Sequence, residues 1–354
     1  MKILIVQLGF IGDVILSTPV ITALAELYPL ASVSVLTTPV AQELLRFDRR
    51  LAKVHVYDKR GRQSGVSGLL EMGKELRSEK YDVVFSLHKS ARTSLLLKLA
   101  GIPRRYGFRR AALNFLYTVA SERDDLFHEV LRNLAVLRSV GYKPEEDFAP
   151  QMFLALSPEA CDKADEIWGV VPVEKRIVLA PGSVWETKRW SAEQFARLGE
   201  ILLDRGFTLA LVGGPADRQA GETILEHLQQ RTDFQRSDSD RVKNLIGTLT
   251  LLESAAIIDR SSALVSNDSA PLHIASALQV PVVGVFCATI PEFGFGPWKT
   301  PHRTIGLYEL SCRPCRAHGS RICPTGTAKC MNELSAEAVF AQLDELFTQL
   351  RSNQ

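Results

Sequence analysis

Apolar positions fall into short runs that alternate with longer amphipathic stretches. Lys2 to Leu8 is an apolar, β-branched run ending at Gly9 and Gly12, and Val14 to Leu27 has helical spacing. Strand patterns recur at Ser32 to Thr37, Lys53 to Tyr57 and Asp82 to Leu87, with helical patterns at Ser67 to Leu76 and Ala91 to Leu99. Strands alternating with helices predict βαβ units and a parallel sheet. The pattern then restarts. Arg176 to Ala180 reads as a strand closed by Pro181 and Gly182, and Ser191 can cap a helix to about Asp204. Strands at Phe207 to Val212, Ala263 to Ser266 and Val280 to Cys287 follow, with helices at Leu251 to Asp259 and Pro271 to Leu278.

Between the halves, Gly169 to Lys175 reads as a linker, because Gly169 can end a helix and Pro172 keeps the chain extended. The expected division is an N-terminal unit over residues 1–168 and a C-terminal unit over 169–334, separated by a cleft. A last amphipathic helix in 335–354 can pack on either half. Ligands of open parallel sheets bind beyond the carboxyl ends of the strands, where each motif below falls.

Composition narrows the classes. The 354 residues suggest about two domains at roughly 150 residues each. With 46% hydrophobic and 23% charged residues, disorder and fibrous structure are excluded. The balance of 42 basic and 40 acidic residues argues against a nucleic-acid binder. No uncharged apolar run reaches the ~18 residues of a membrane helix, and the first residues lack the pattern of an export signal. A reduced cytoplasmic setting is therefore expected for the six cysteines.

In Gly9-Phe10-Ile11-Gly12-Asp13 the glycines allow a tight turn from strand to helix. The spacing is not GxGxxG, which argues against a dinucleotide-dependent oxidoreductase, and Asp13 would repel a phosphate. Asp13 fits a general base for an attacking hydroxyl, or a helix cap. In Pro181 to Trp190, Gly182, Ser183 and Thr187 can approach phosphate oxygens, and Lys188 can neutralise a diphosphate leaving group. Lys188 also reads as a plain surface lysine, and the tryptophans as packing anchors. In Ser266 to His273, Ser269 fits an N-cap ahead of Pro271, free N–H groups make an anion site, and Asp268 can meet sugar hydroxyls. His273 is either functional or a core histidine. Asp217 or Glu222 can bind ribose or be solvated carboxylates.

His88, Lys89 and Arg92 follow a strand end, and Lys98, Arg104, Arg105, Arg109 and Arg110 surround Tyr106, Phe108 and Phe115. Such loops suit an acceptor bearing phosphates or carboxylates, an anionic membrane surface, or plain solvent. Cys312, Cys315, Cys323 and Cys330 can be reduced packing residues, ligands of a structural zinc, or disulfide partners. The Asp238-Ser239-Asp240 element lies in a polar loop, so a divalent cation is neither indicated nor required.

The opening run through Gly12 and Asp13, Lys188-Arg189-Trp190, and Ser266 to His273 together resemble the ADP-heptose:lipopolysaccharide heptosyltransferases of glycosyltransferase family 9. Pro291 to Trp298 and Cys312-Arg313-Pro314-Cys315 are most similar to the heptosyltransferase II branch. The resemblance implies a GT-B fold of two Rossmann-like domains whose parallel sheets face across a cleft, the last helix often crossing back to the first domain. It implies an inverting transfer of heptose from ADP-heptose to a lipid A–Kdo/heptose inner-core acceptor, by a peripheral enzyme at the inner face of the inner membrane. Asp13 matches the family's proposed base and Lys188 its diphosphate contact. Ser183, Asp268, Ser269, Ala270 and His273 match donor positions, and Asp217 or Glu222 would hold ribose. Gly12, His88, Lys89, Arg92, Arg105 and Arg109 are the expected acceptor-side residues. Val184 replaces a hydroxyl found in the heptosyltransferase I branch. A family 9 enzyme with another donor or acceptor, and a non-catalytic nucleotide-sugar-binding protein, are the competing readings.

Overall fold

The computed structural model describes residues 1–144, 149–230 and 240–352. It divides into two compact units, Met1–Ala155 and Leu156–Gln354. In the first, β1 (Lys2–Val6) is central because four of its five residues are fully covered. It pairs in parallel with β2 (Ser32–Thr37) and β4 (Val83–Ser86), Ile3 facing Val33 and Val83. With β3 (Leu51–Val56), β5 (Arg104–Phe108) and β6 (Val119–Ser121) the order is β3-β2-β1-β4-β5-β6.

The second unit repeats this topology. β7 (Arg176–Ala180), β8 (Thr208–Leu211), β9 (Val242–Asn244), β10 (Ala263–Asn267), β11 (Val282–Val285) and β12 (His302–Ile305) run β12-β11-β10-β7-β8-β9. Counted from each unit's own first strand, both orders are the 3-2-1-4-5-6 of doubly wound nucleotide-binding sheets. The order reverses between β1 and β4 in one unit, and between β7 and β10 in the other. Loops leaving the carboxyl ends at such a point diverge and open a crevice.

Three boundaries differ from expectation. The helical stretch from Val14 to Leu27 is two helices, Ile11–Ile15 and Thr18–Leu27. Pro19 sits in the first turn of the second, and the Ser17 and Thr18 hydroxyls cap carbonyls of the first. The units part at Ala155, not Trp168, because helix Pro158–Trp168 belongs to the second core. Ser157 caps it, and the buried Trp168 indole donates to the Ile257 carbonyl (3.2 Å). The last helix, Ala336–Ser352, also packs into the second unit. Val339, Leu343 and Leu346 form a stripe in its core, and Phe347 stacks on Phe207. Among the described residues no helix is long and apolar enough to cross a membrane.

Candidate functional site

In the first unit the reversal point is bounded by the loop after β1 and the loop after β4. Asp13 occupies the first turn of helix Ile11–Ile15, and its Oδ2 accepts the Phe10 N–H (2.8 Å). A Cβ on Gly9 would collide with that carboxylate, so the approach requires glycine. Across the point, Lys59 Nζ donates to the Leu8 carbonyl (2.7 Å) and lies 3.3 Å from His88 Nε2. A lysine has no acceptor, so Nε2 carries the lone pair and Nδ1–H faces Thr93 Oγ1 (2.8 Å). Burial, with Lys59, Lys89 and Arg60 nearby, pushes the His88 pKa down to about 4. Lys59 is likewise lowered, by burial first and then by Arg60 and Arg92. Crowded, partly desolvated cations of this kind favour an incoming anion.

In the second unit the loops after β7 and β10 are tied by Asn267. Its Nδ2 donates to the Pro181 carbonyl (2.7 Å) and its Oδ1 accepts the Trp190 N–H (3.0 Å). This fixes Lys188 against Asp268, Nζ to Oδ2 2.6 Å, with both side chains nearly covered. Asp268 Oδ2 also accepts the Thr289 hydroxyl (2.6 Å). Next along the chain, Ser269 begins helix Ala270–Ala277 in extended geometry without capping it. Its buried Oγ has no hydrogen-bond partner. A covered ammonium, a helix N-terminus and an unpartnered hydroxyl converge on this carboxyl edge. That combination recognises phosphate oxygens, and the carboxylate suits sugar hydroxyls.

A third segment braces this arrangement. Arg313 Nη2 donates to the Phe286 (2.6 Å) and Thr289 (2.7 Å) carbonyls, so it holds the turn that presents Thr289. Gly306 lets it pass, since a Cβ there would meet the Phe286 carbonyl and the guanidinium. Thr187 Oγ1 accepts the Ser320 N–H (2.8 Å) and donates to its carbonyl (3.1 Å). Asp217 lies against Gly182, accepts the Gly214 N–H (2.9 Å), and has its pKa raised chiefly by burial.

The family model for glycosyltransferase family 9 (heptosyltransferase) matches residues 69–325. The chain belongs to glycosyltransferase family 9. It is therefore an enzyme, a glycosyltransferase. The lipopolysaccharide heptosyltransferase 2 of Escherichia coli K12 is 27% identical over 307 residues, covering 83% of this chain and 84% of that protein. A family 9 glycosyl transferase structure from Veillonella parvula superposes with a TM-score of 0.85 at 24% identity, over 98% of this chain and 97% of that one. The E. coli ADP-heptose lps heptosyltransferase II structure gives 0.81 at 23% identity, over 99% and 100%. The fold of this family 9 glycosyltransferase is thus the two-Rossmann GT-B fold.

The geometry gathers only part of the expected site. Gly12, Asp13, His88 and Lys89 stand at the first unit's reversal point, and Lys188, Asp268, Ser269 and Ala270 at the second's. His273 is buried one turn further along that helix. Ser183 is buried beside them, its Oγ accepting the Trp185 N–H (3.4 Å). Thr187 is not open to a phosphate, because Ser320 takes both faces of its hydroxyl. Arg92 clamps its own unit, donating to Tyr57 Oη, Gln63 O and Gly65 O. Arg105 is turned away, bonded to the Leu116, Ile102 and Pro103 carbonyls near the amino end of β5. Arg109 is exposed and paired with Glu122 (3.0 Å). Asp217 is half-buried in its turn, and Glu222 is exposed on the following helix.

The Trp190 indole is fully buried, donates to the Leu334 carbonyl and meets Phe195 edge-on, as a packing anchor. All six cysteines are free thiols. Among the described residues no three or more His, Cys, Asp and Glu are placed to hold a metal. Cys330 is buried against the core beside a helix start, and Cys312, Cys315 and Cys323 lie near enough to act on it electrostatically. Of the Asp238-Ser239-Asp240 element, only Asp240 lies among the described residues. Sequence reading missed Lys59, Thr289 and Arg313. Lys59 had a readable signal, since it stands just past a strand in a Lys-Arg-Gly-Arg run.

Proposed function

We propose that this glycosyltransferase moves L-glycero-D-manno-heptose from ADP-heptose to the lipid A–Kdo/heptose inner core of lipopolysaccharide, adding the second heptose. The reading is supported by the activity its relatives are named for and by one observation above all. The buried Lys188–Asp268 pair stands beside the unpartnered Ser269 hydroxyl at a helix N-terminus. In this reading the ADP diphosphate lies against Lys188, Ser269 and the first turn of the helix, and Asp268 with Thr289 meets the sugar. Asp217 or Glu222 receives the ribose.

The acceptor hydroxyl attacks the anomeric carbon as the bond to the diphosphate oxygen breaks. Its proton passes to Asp13, whose carboxylate is oriented by the Phe10 N–H. One displacement inverts the anomeric centre. Lys59, His88, Lys89 and Arg109 receive the acceptor's anionic groups. Lys188 and the helix terminus supply the positive field at the leaving group, so the reaction runs without a divalent cation. The enzyme works peripherally at the inner face of the inner membrane, where its lipid-linked acceptor lies.

Turnover of ADP-heptose with Kdo2-lipid A and with heptosylated Kdo2-lipid A tests the assignment. Transfer only to the heptosylated acceptor is expected, undiminished in EDTA. Asp13→Asn should lower kcat about 10²–10⁴-fold, as for loss of a general base. Lys188→Ala should lower it about 10²–10³-fold. Transfer to Kdo2-lipid A would move the enzyme to the first heptose. No ADP release with either acceptor would refute the substrate assignment.

A further inference from the structure

Between Leu87 and Val119 the chain carries seven lysines and arginines and no aspartate or glutamate. The middle of this stretch is a fixed knob at the surface of the first unit. Ala112 N donates to the Lys89 carbonyl (2.9 Å), and Ser94 Oγ donates to the Ala112 carbonyl (2.7 Å). Asn114 Nδ2 bonds back to the Arg109 carbonyl. The knob is thus held on helix Ala91–Leu99 before any partner arrives, which lowers the ordering cost of binding.

Its outer surface is unusual for a protein that stays in water. Phe115 is 75% exposed and Leu113 is also exposed. Leu126, 89% exposed, joins them through Arg110, which pairs with Asp125 (2.6 Å). Leu95 and Val119 are exposed on the flanking elements. Arg109 and Arg110 belong to the knob itself, while Lys98 lies in the last turn of helix Ala91–Leu99 and Arg104 opens β5. The acidic neighbours Glu122 and Asp125 pair with Arg109 and Arg110 in solvent-exposed bridges, which exchange readily for a stronger anion. Exposed aromatic and aliphatic tips beside two arginines match the two layers of an anionic bilayer surface, acyl chains beneath phosphates.

We propose that the knob at residues 109–116, with Leu126, docks this enzyme on anionic phospholipid. The loop opening it leaves the carboxyl end of β5, the edge that also carries Asp13 after β1, and returns to Leu116, whose carbonyl meets Arg105 near the amino end of that strand. With one strand between β1 and β5, the two loops start about 10 Å apart at the usual strand spacing.

Co-sedimentation of the full chain with vesicles tests it. Binding is expected to phosphatidylglycerol–phosphatidylcholine vesicles and not to pure phosphatidylcholine, and it should weaken as salt rises. The double variant Phe115→Ser, Leu126→Ser removes two exposed side chains and should cut the partition coefficient about tenfold or more. Its turnover on a deacylated, soluble acceptor should equal that of the wild type. Absence of binding to the anionic vesicles, or equal binding by the variant, would overturn the proposal. Concentration-dependent self-association lost in the variant, without vesicle binding, would assign the patch to a second copy instead. Vesicle binding without turnover on any acceptor would refute the substrate reading alone.

Discussion

At the scale of single residues, His88 carries a charge state that bears on stability. Its folded pKa of about 4 lies below the ordinary value of 6.5, so the unfolded chain binds the extra proton first. Stability from this group is complete above pH 6.5 and is lost as pH falls toward 4, by at most about 3 kcal/mol. Urea midpoints at pH 7, 5.5 and 4.5 should fall steadily, and His88→Gln should flatten that slope. Residues of this kind were only half legible. His88 shows itself by following a strand end, but the Lys59 ammonium that fixes its tautomer comes from the turn after β3. Arg92 and Arg105 misled for a related reason. A cation in a basic stretch looks available until its guanidinium is found on backbone carbonyls.

At the scale of elements, the segment from Gly306 to Cys330 braces the loops that carry Lys188 and Asp268. Arg313 holds the Thr289 turn, and Thr289 holds Asp268. Thr289→Val keeps the shape and removes the hydroxyl from a nearly buried carboxylate. Hydrogen bonds to charged groups contribute about 1.5–3 kcal/mol, so ADP-heptose affinity should fall roughly 10–100-fold. Calorimetric titration checks this, and unchanged affinity would separate Thr289 from donor binding. Such bracing leaves no trace in sequence, because it joins side chains to carbonyls more than twenty positions away. The buried central strands were readable as unbroken apolar runs. β5, β9 and β12 were not, nor was the three-residue β6. β5 opens Arg-Arg and contains glycine, β9 has three residues, and β12 begins with His302 and Arg303. Short strands toward the sheet edges are only partly covered and need no apolar run.

At the scale of the molecule, the repeat of one topology was legible, since each half restarts with a covered strand and a glycine-bearing turn. The boundary was not, because Gly169 and Pro172 mark the end of a helix rather than the end of a core. Trp168 decides where helix Pro158–Trp168 belongs. Trp168→Ala should cost about 3–5 kcal/mol, as large-to-small core changes do. Hydrogen exchange should then quicken in β7 and β10 while β1 and β4 keep their protection. Equal loss in both sheets would return this helix to the first core.

The free thiols have one practical consequence. The Thr325 hydroxyl and nearby backbone N–H groups bring the Cys323 pKa down to about 7, while burial raises those of Cys287, Cys315 and Cys330. At neutral pH an electrophilic dye would therefore label Cys323 ahead of those three. Cys323 lies three residues from Ser320, whose backbone grips the Lys188 loop through Thr187. A fluorophore there turns the native chain, without engineering, into an optical reporter of movement in that loop.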